Sequence, residues 1–169
     1  MNKACLTVVA FLAAALTNLS GIPAAAQAAP PEKPIFDRNW IAASSTAMAI
    51  TGDMRMTPDS ITFNRRVTFK LRFVAEVVSK DPERYWSDIP SFSLYEIVQP
   101  KQPTAILRGN TLCGNLKFSN KIQPATYIAV GYDAEARQLE LVTFSSKTPP
   151  EVSLRSAGAC GNLGYFIDK

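Results

Sequence analysis

Proton transfer near neutral pH is most often run through histidine, and this chain has none. That removes the commonest general base, the Ser-His-Asp and Cys-His arrangements, and most zinc enzymes. Paired carboxylates remain as a catalytic option. Asp53 and Glu76 fall on the polar sides of alternating segments, and Asp81, Glu83 and Asp88 cluster in one stretch. Glycoside hydrolysis requires two such groups across a sugar-sized cleft. Linear spacing does not establish that, and solvated surface charge is the competing reading. Neither a Ser-Lys nucleophile motif nor a phosphate-binding or dinucleotide glycine pattern occurs. Gly109, Gly114, Gly158, Gly161 and Gly164 read as scattered turn glycines. No cofactor or metal is implied.

Recognition chemistry is better represented than catalysis. Arg84-Tyr85-Trp86 combines the residue types that anchor interfaces, because they bury area while keeping a polar handle. Its rival assignment is core, with the aromatics closing an open end of the fold. A second set is basic: Arg55, Arg65, Arg66, Lys70 and Arg72. With Arg55 on an adjacent strand these make a stripe suited to phosphate, lipid headgroups or an acidic protein surface, or else the solvated face of an amphipathic strand. Third, Met48, Met54, Met56, Phe69, Leu71 and Phe73 could line a carrier's interior or simply fill it.

The elements that must hold these residues are strands. Val67, Phe69, Leu71, Phe73, Ala75 and Val77 share one face opposite Thr68, Lys70, Arg72 and Glu76, with Val74 the exception. Met48, Ile50, Met54 and Met56 also alternate, with Gly52 at a bend or bulge, and Thr57-Pro58-Asp59-Ser60 is turn chemistry before Ile61 and Phe63. Asn64-Arg65-Arg66 makes a tight connection. Asp81-Pro82-Glu83 suits the start of a short helix. Further strands are predicted at Phe92 to Val98, Thr104 to Leu107, Tyr127 to Tyr132, Leu139 to Phe144, Val152 to Leu154 and Leu163 to Ile167. The pattern predicts an all-β fold, a small antiparallel β-barrel or a two-sheet sandwich of about eight strands with one short helix. Each strand is expected to have one wet and one dry face.

The amino terminus reads as an export label. Lys3 precedes an apolar run from Leu6 to Leu16, and Ala26-Gln27-Ala28 is a small-x-small cleavage site. The apolar stretch is shorter than the roughly 20 residues a membrane span needs. Residues 1–28 are therefore assigned as a signal peptide, 29–44 as an extended lead-in in which Trp40 and Ile41 first meet the core, and 45–169 as a single β domain. Removal of the leader leaves 141 residues with 17 basic and 14 acidic side chains, too even a balance to argue for nucleic acid. The expected product is a monomer in the periplasm or outside the cell, without a transmembrane anchor.

Cys113 and Cys160 are then the only cysteines, and export predicts a disulfide between them. Chain entropy puts its contribution at about 4 kcal/mol. Cys113-Gly114-Asn115-Leu116 recurs as Cys160-Gly161-Asn162-Leu163, which predicts tight turns beside both half-cystines. In outline the plan resembles lipocalin-type barrels and periplasmic lysozyme-inhibitor barrels. Arg38-Asn39-Trp40 stands where the former carry Gly-x-Trp, and the inhibitory loop of the latter has no counterpart, so no activity carries over. The expected function is non-catalytic binding of a protein or envelope component, with a lipid or small-molecule carrier and a carboxylate-based hydrolase as the alternatives.

Overall fold

Alternating segments in the middle of the chain pair in sequence order, each joined to the next by local turn chemistry. The computed structural model describes residues 35–80, 89–118 and 121–168. β1 (Arg38–Ala42) leads through a short helix, α1 (Ser45–Ile50), to β2 (Met54–Thr57). β2 meets β3 (Ser60–Phe63) at a Pro58-Asp59 turn in which the Thr57 hydroxyl donates to Asp59 Oδ1 at 2.8 Å. β3 enters β4 (Val67–Val78) through Asn64 and Arg65, both left-handed, with φ of 49° and 54°. The Arg66 N–H closes that turn on the Phe63 carbonyl at 3.0 Å.

The meander continues through β5 (Ser91–Gln99), then makes an excursion as a small hairpin, β6 (Asn110–Thr111) and β7 (Gly114–Asn115). It resumes with β8 (Tyr127–Asp133), β9 (Gln138–Phe144) and β10 (Ala159–Ile167), which pairs with β1. The result is a closed antiparallel barrel of eight strands, and the sandwich alternative falls away. Because every strand runs opposite to its neighbours, α1, the Asn64–Arg66 turn, the β6–β7 excursion and the 145–158 connection all leave from one end. The turns after β2 and β8 and the start of β1 mark the other.

Several local expectations change. The alternation from Met48 to Met56 is a strand only from Met54 onward. Ser44 caps a helix before it, its hydroxyl accepting the Ala47 N–H at 3.0 Å, and Met48 is exposed. The barrel begins within the stretch read as lead-in, because Trp40 is fully buried on β1 and its indole N–H donates to the Ile35 carbonyl at 3.1 Å. Segments 104–107 and 152–154 are not strands: Ile106 turns into the core, and Val152 packs on the barrel from outside. The helix predicted near Asp81 lies outside the described residues.

Cys113 and Cys160 form the disulfide, with Cα atoms 4.9 Å apart. It ties the β6–β7 hairpin to the head of β10. Gly114 (φ 149°) sits at the hairpin turn, whereas Cys160 sits at a β-bulge between Ala159 and Gly161. Leu112 and Ile106 from this excursion are buried against the barrel interior, and the Asn110 amide donates to the Ala49 carbonyl at 2.8 Å, so hairpin and α1 together plug that end. Below the plug the Tyr165 hydroxyl lies 2.6 Å from Thr51 Oγ1, which itself donates to the Ala47 carbonyl.

Met54, Met56, Phe69 and Leu71 pack in the interior with Trp40, Phe63, Tyr95 and Tyr165, and Phe73 packs at its edge. A second apolar cluster lies outside the ring. Phe92 and Leu94 of β5, Tyr127 and Ala129 of β8, and Val142 and Phe144 of β9 face outward, yet all are buried beneath Val152 and Ile89. The cover is the 145–158 segment, an Ω-loop whose ends meet where the Ser145 N–H donates to the Gly158 carbonyl at 2.7 Å. The expectation of one wet face per strand therefore holds for β2 and β3 and fails for β5, β8 and β9.

Candidate functional site

Among the described residues, none covers the outer faces of β1, β2, β3 and the upper half of β4. Antiparallel register sets a polar row across them: Asn39 opposite Arg55, Arg55 opposite Thr62, and Thr62 opposite Thr68. The Thr62 and Thr68 hydroxyls are 2.9 Å apart. One step toward the α1 end, Ile41 opposes Phe166 as an exposed apolar pair. These rows floor a cleft of about 420 Å³, bounded by Asn39, Ile41, Asp53, Arg55, Thr62, Arg65 and Asp168.

Of the basic residues singled out in the sequence, Arg55, Lys70 and Arg72 do project from one outer face, but each has a carboxylate companion. Arg55 reaches Asp37 at 3.4 Å and Lys70 reaches Asp59 at 3.7 Å. Arg72 is hydrogen-bonded to Glu96, which Lys101 also approaches at 3.8 Å. Asp59 is held below its ordinary carboxylate range, first by the Thr57 hydroxyl and then by Lys70. These exposed pairs contribute little stability; their effect is to cancel the field of a stripe. Arg65 and Arg66 differ, being exposed with no carboxylate partner among the described residues.

Arg65 also occupies an unusual backbone. Two consecutive left-handed residues match a type I′ turn, whose second position favours glycine because a Cβ there costs energy. Its neighbour Asn64 is anchored by donating its N–H to the Asp53 carbonyl at 2.6 Å. Asp53 is in turn fixed, its Oδ1 accepting the Ala42 N–H at 3.0 Å. The turn thus presents a free guanidinium at the cleft's rim from a rigid base. A guanidinium fork beside hydroxyl and amide groups suits a carboxylate or phosphate oxygen pair.

For hydrolysis the arrangement offers less. Asp53 precedes β2 at the α1 end, whereas Glu76 lies toward the opposite end of β4, where the Ser93 hydroxyl donates to it at 2.8 Å. Two strand positions separated by β3 and by most of the barrel's height do not flank one bond. Among the described residues no three of Asp, Glu and Cys converge as a metal site. Arg84, Tyr85 and Trp86, with Asp81, Glu83 and Asp88, lie outside the described residues.

Charge and turn chemistry pointed to Arg55 and Arg65. Asn39 and Asp168 carried no such signal, because they join the cleft only when β1 and β10 close the ring, and Thr62 read only as the polar position between Ile61 and Phe63. Compared with known proteins, the chain matches no family model, no curated protein and no solved structure.

Proposed function

We propose that this protein is an exported, non-catalytic binding module whose cleft on β1–β3 receives an acidic group of a protein or envelope component. The observation that carries the reading is Arg65, a guanidinium with no carboxylate partner among the described residues, held in a strained turn over a cleft of about 420 Å³ whose lining combines Asn39 and Thr62 with Ile41. Strained non-glycine residues persist where the surroundings over-determine them, and they cluster at ligand clamps. The filled interior supports the role of rigid scaffold rather than carrier, since the apolar set assigned to a carrier's lining packs on its own neighbours, apart from Met48, which is exposed. Arg84, Tyr85 and Trp86 are proposed as additional anchors on the β4–β5 connection.

Affinity capture from the envelope of the native host tests this. Wild-type protein is compared with Arg65→Glu, with Thr62→Trp, which fills the cleft, and with a Tyr85→Ala, Trp86→Ala double variant, each verified as folded. The expected outcome is a partner retained by the wild type and lost by both cleft variants. Equal recovery by wild type and cleft variants rejects the cleft. Loss confined to the double variant moves the site to the β4–β5 connection.

A further inference from the structure

The barrel is electrically polarised along its axis. At the α1 end, the connections spanning 43–53, 64–66, 100–126 and 145–158 carry Arg65, Arg66, Lys101, Arg108, Lys117, Lys121, Lys147 and Arg155, against the carboxylates Asp53 and Glu151, with Lys101 also approaching Glu96 of β5 at 3.8 Å. The described turns and termini at the opposite end carry Asp37, Asp59, Glu135 and Asp168, against Lys80 and Arg137. From Ile97 to Tyr132 the sequence contains no acidic residue at all.

The same basic end holds the most exposed large apolar side chain among the described residues. Phe118 is 88% exposed, with Leu116 at 42% and Met48 at 55%. These side chains stand on a fixed base. The Phe118 N–H donates to the Asn115 carbonyl at 3.1 Å and the Leu116 N–H to the Gly109 carbonyl at 2.9 Å. The methylene stem of Lys117 lies against Gly109, next to Arg108, and the hairpin is locked to β10 by the disulfide and to α1 by Asn110. Protruding apolar tips ringed by cations, rather than an apolar groove, match a soft anionic interface: the tips enter the acyl boundary while long basic side chains stay with the headgroups.

We infer that the α1 end is a docking surface for an anionic lipid bilayer, with Phe118 and Leu116 inserting and Arg108, Lys117 and their basic neighbours contacting headgroups. Docking end-on would point the acidic end away from the surface and leave the β1–β3 cleft open on the barrel's flank. This surface shares Arg65 and Asp53 with the cleft's rim, but Phe118, Leu116, Arg108 and Lys117 do not line the cleft, so variants at those four positions test the surface apart from the cleft.

Sedimentation of the protein, as recovered from cells, with vesicles tests the inference. Binding to phosphatidylglycerol vesicles and its loss at high salt are expected, with little binding to phosphatidylcholine. Phe118→Ser should weaken binding about tenfold through lost apolar burial. Arg108→Gln and Lys117→Gln should each weaken it about fivefold. A Phe118→Trp variant should be quenched by brominated lipid beyond the wild-type background. The inference is overturned by absent binding to phosphatidylglycerol, by equal binding to both lipids, or by a Phe118→Ser variant that binds as the wild type does. Retention on immobilised polyglutamate without any vesicle binding would also overturn it, assigning the end to an acidic protein partner.

Discussion

The two halves of the barrel wall are built to different rules. On β2, β3 and the upper part of β4, residues alternate between the interior and water, as in Met54, Arg55, Met56 or Phe69, Lys70, Leu71. On β5, β8 and β9 both faces are buried, the inner against the barrel core and the outer beneath the 145–158 loop. Strand β4 belongs to both halves. Phe73 pairs with Tyr95 on the inside, a bulge inserts Val74, and Ala75 then pairs with Leu94 on the outside. One extra residue reverses every later side chain. The covered half supplies rigidity, and the bare half is left to present polar groups in a fixed register.

The largest contrast is expected from placing a charge on each half. Val152→Asp would put a carboxylate in the outer cluster and should cost about 3 kcal/mol by desolvation and loss of the loop's packing. Thr68→Asp, on the bare face, should stay within about 0.5 kcal/mol. Chemical denaturation of both checks this, and equal losses would mean the loop is no part of the cooperative unit. Gly131→Ala sharpens the point. A Cβ there would sit 2.6 Å from the Phe92 ring and 2.7 Å from Ile89, both buried. Overpacking should cost about 2 kcal/mol, visible as a lowered denaturation midpoint with an unchanged slope.

Much of this contrast was present in the residues before folding. Clean alternation marked the bare strands, and even Val74 stood out as the residue breaking the pattern. Near-continuous apolar runs such as Tyr127-Ile128-Ala129-Val130 signal burial on both faces, but nothing local says what provides the cover. The 145–158 loop hid because Val152 and Leu154 alternate like a strand while its prolines and Gly158 keep it from pairing. Around Met48 the alternating period masked a helix that Ser44 and the following alanines favour. The disulfide followed from counting cysteines once Cys5 had been assigned to the leader. The cleft was half legible: Arg55 and Arg65 by charge, its remaining walls only through closure of β1 on β10.

High pH should act through buried tyrosines that stand off the bare strands. The described tyrosines, Tyr95, Tyr127, Tyr132 and Tyr165, lie on β5, β8 and β10, and none lies on β1 to β4. Burial pushes Tyr95 up to about 12 and Tyr165 higher still. Tyr127, under the loop, is also raised, by burial and then by the charge of Glu96. Between pH 10 and about 12 the unfolded chain releases phenol protons that the folded chain keeps. The unfolded state then binds fewer protons, so stability is full below pH 10 and falls as pH rises. For Tyr95 the loss reaches about 3 kcal/mol once the pH passes about 12. Melting temperature followed together with phenolate absorbance should show a phenolate step that coincides with unfolding and that Tyr95→Phe and Tyr165→Phe diminish; loss of that step from the unfolding transition into the folded baseline would contradict the packing of these two rings.

A smaller effect, of the opposite sign, separates the two halves most cleanly. Arg65→Gly removes the side chain from a left-handed position that glycine adopts without cost. Since Arg65 makes no ion pair among the described residues, nothing in the fold is lost with it. The variant should gain about 1 kcal/mol of stability while losing partner capture through the cleft. On the covered half every substitution considered destabilises, because each residue there serves packing. A gain in stability joined to a loss of binding would mark Arg65 as retained for recognition. A loss of stability would instead make the guanidinium a structural element and remove the cleft's main claim to a ligand.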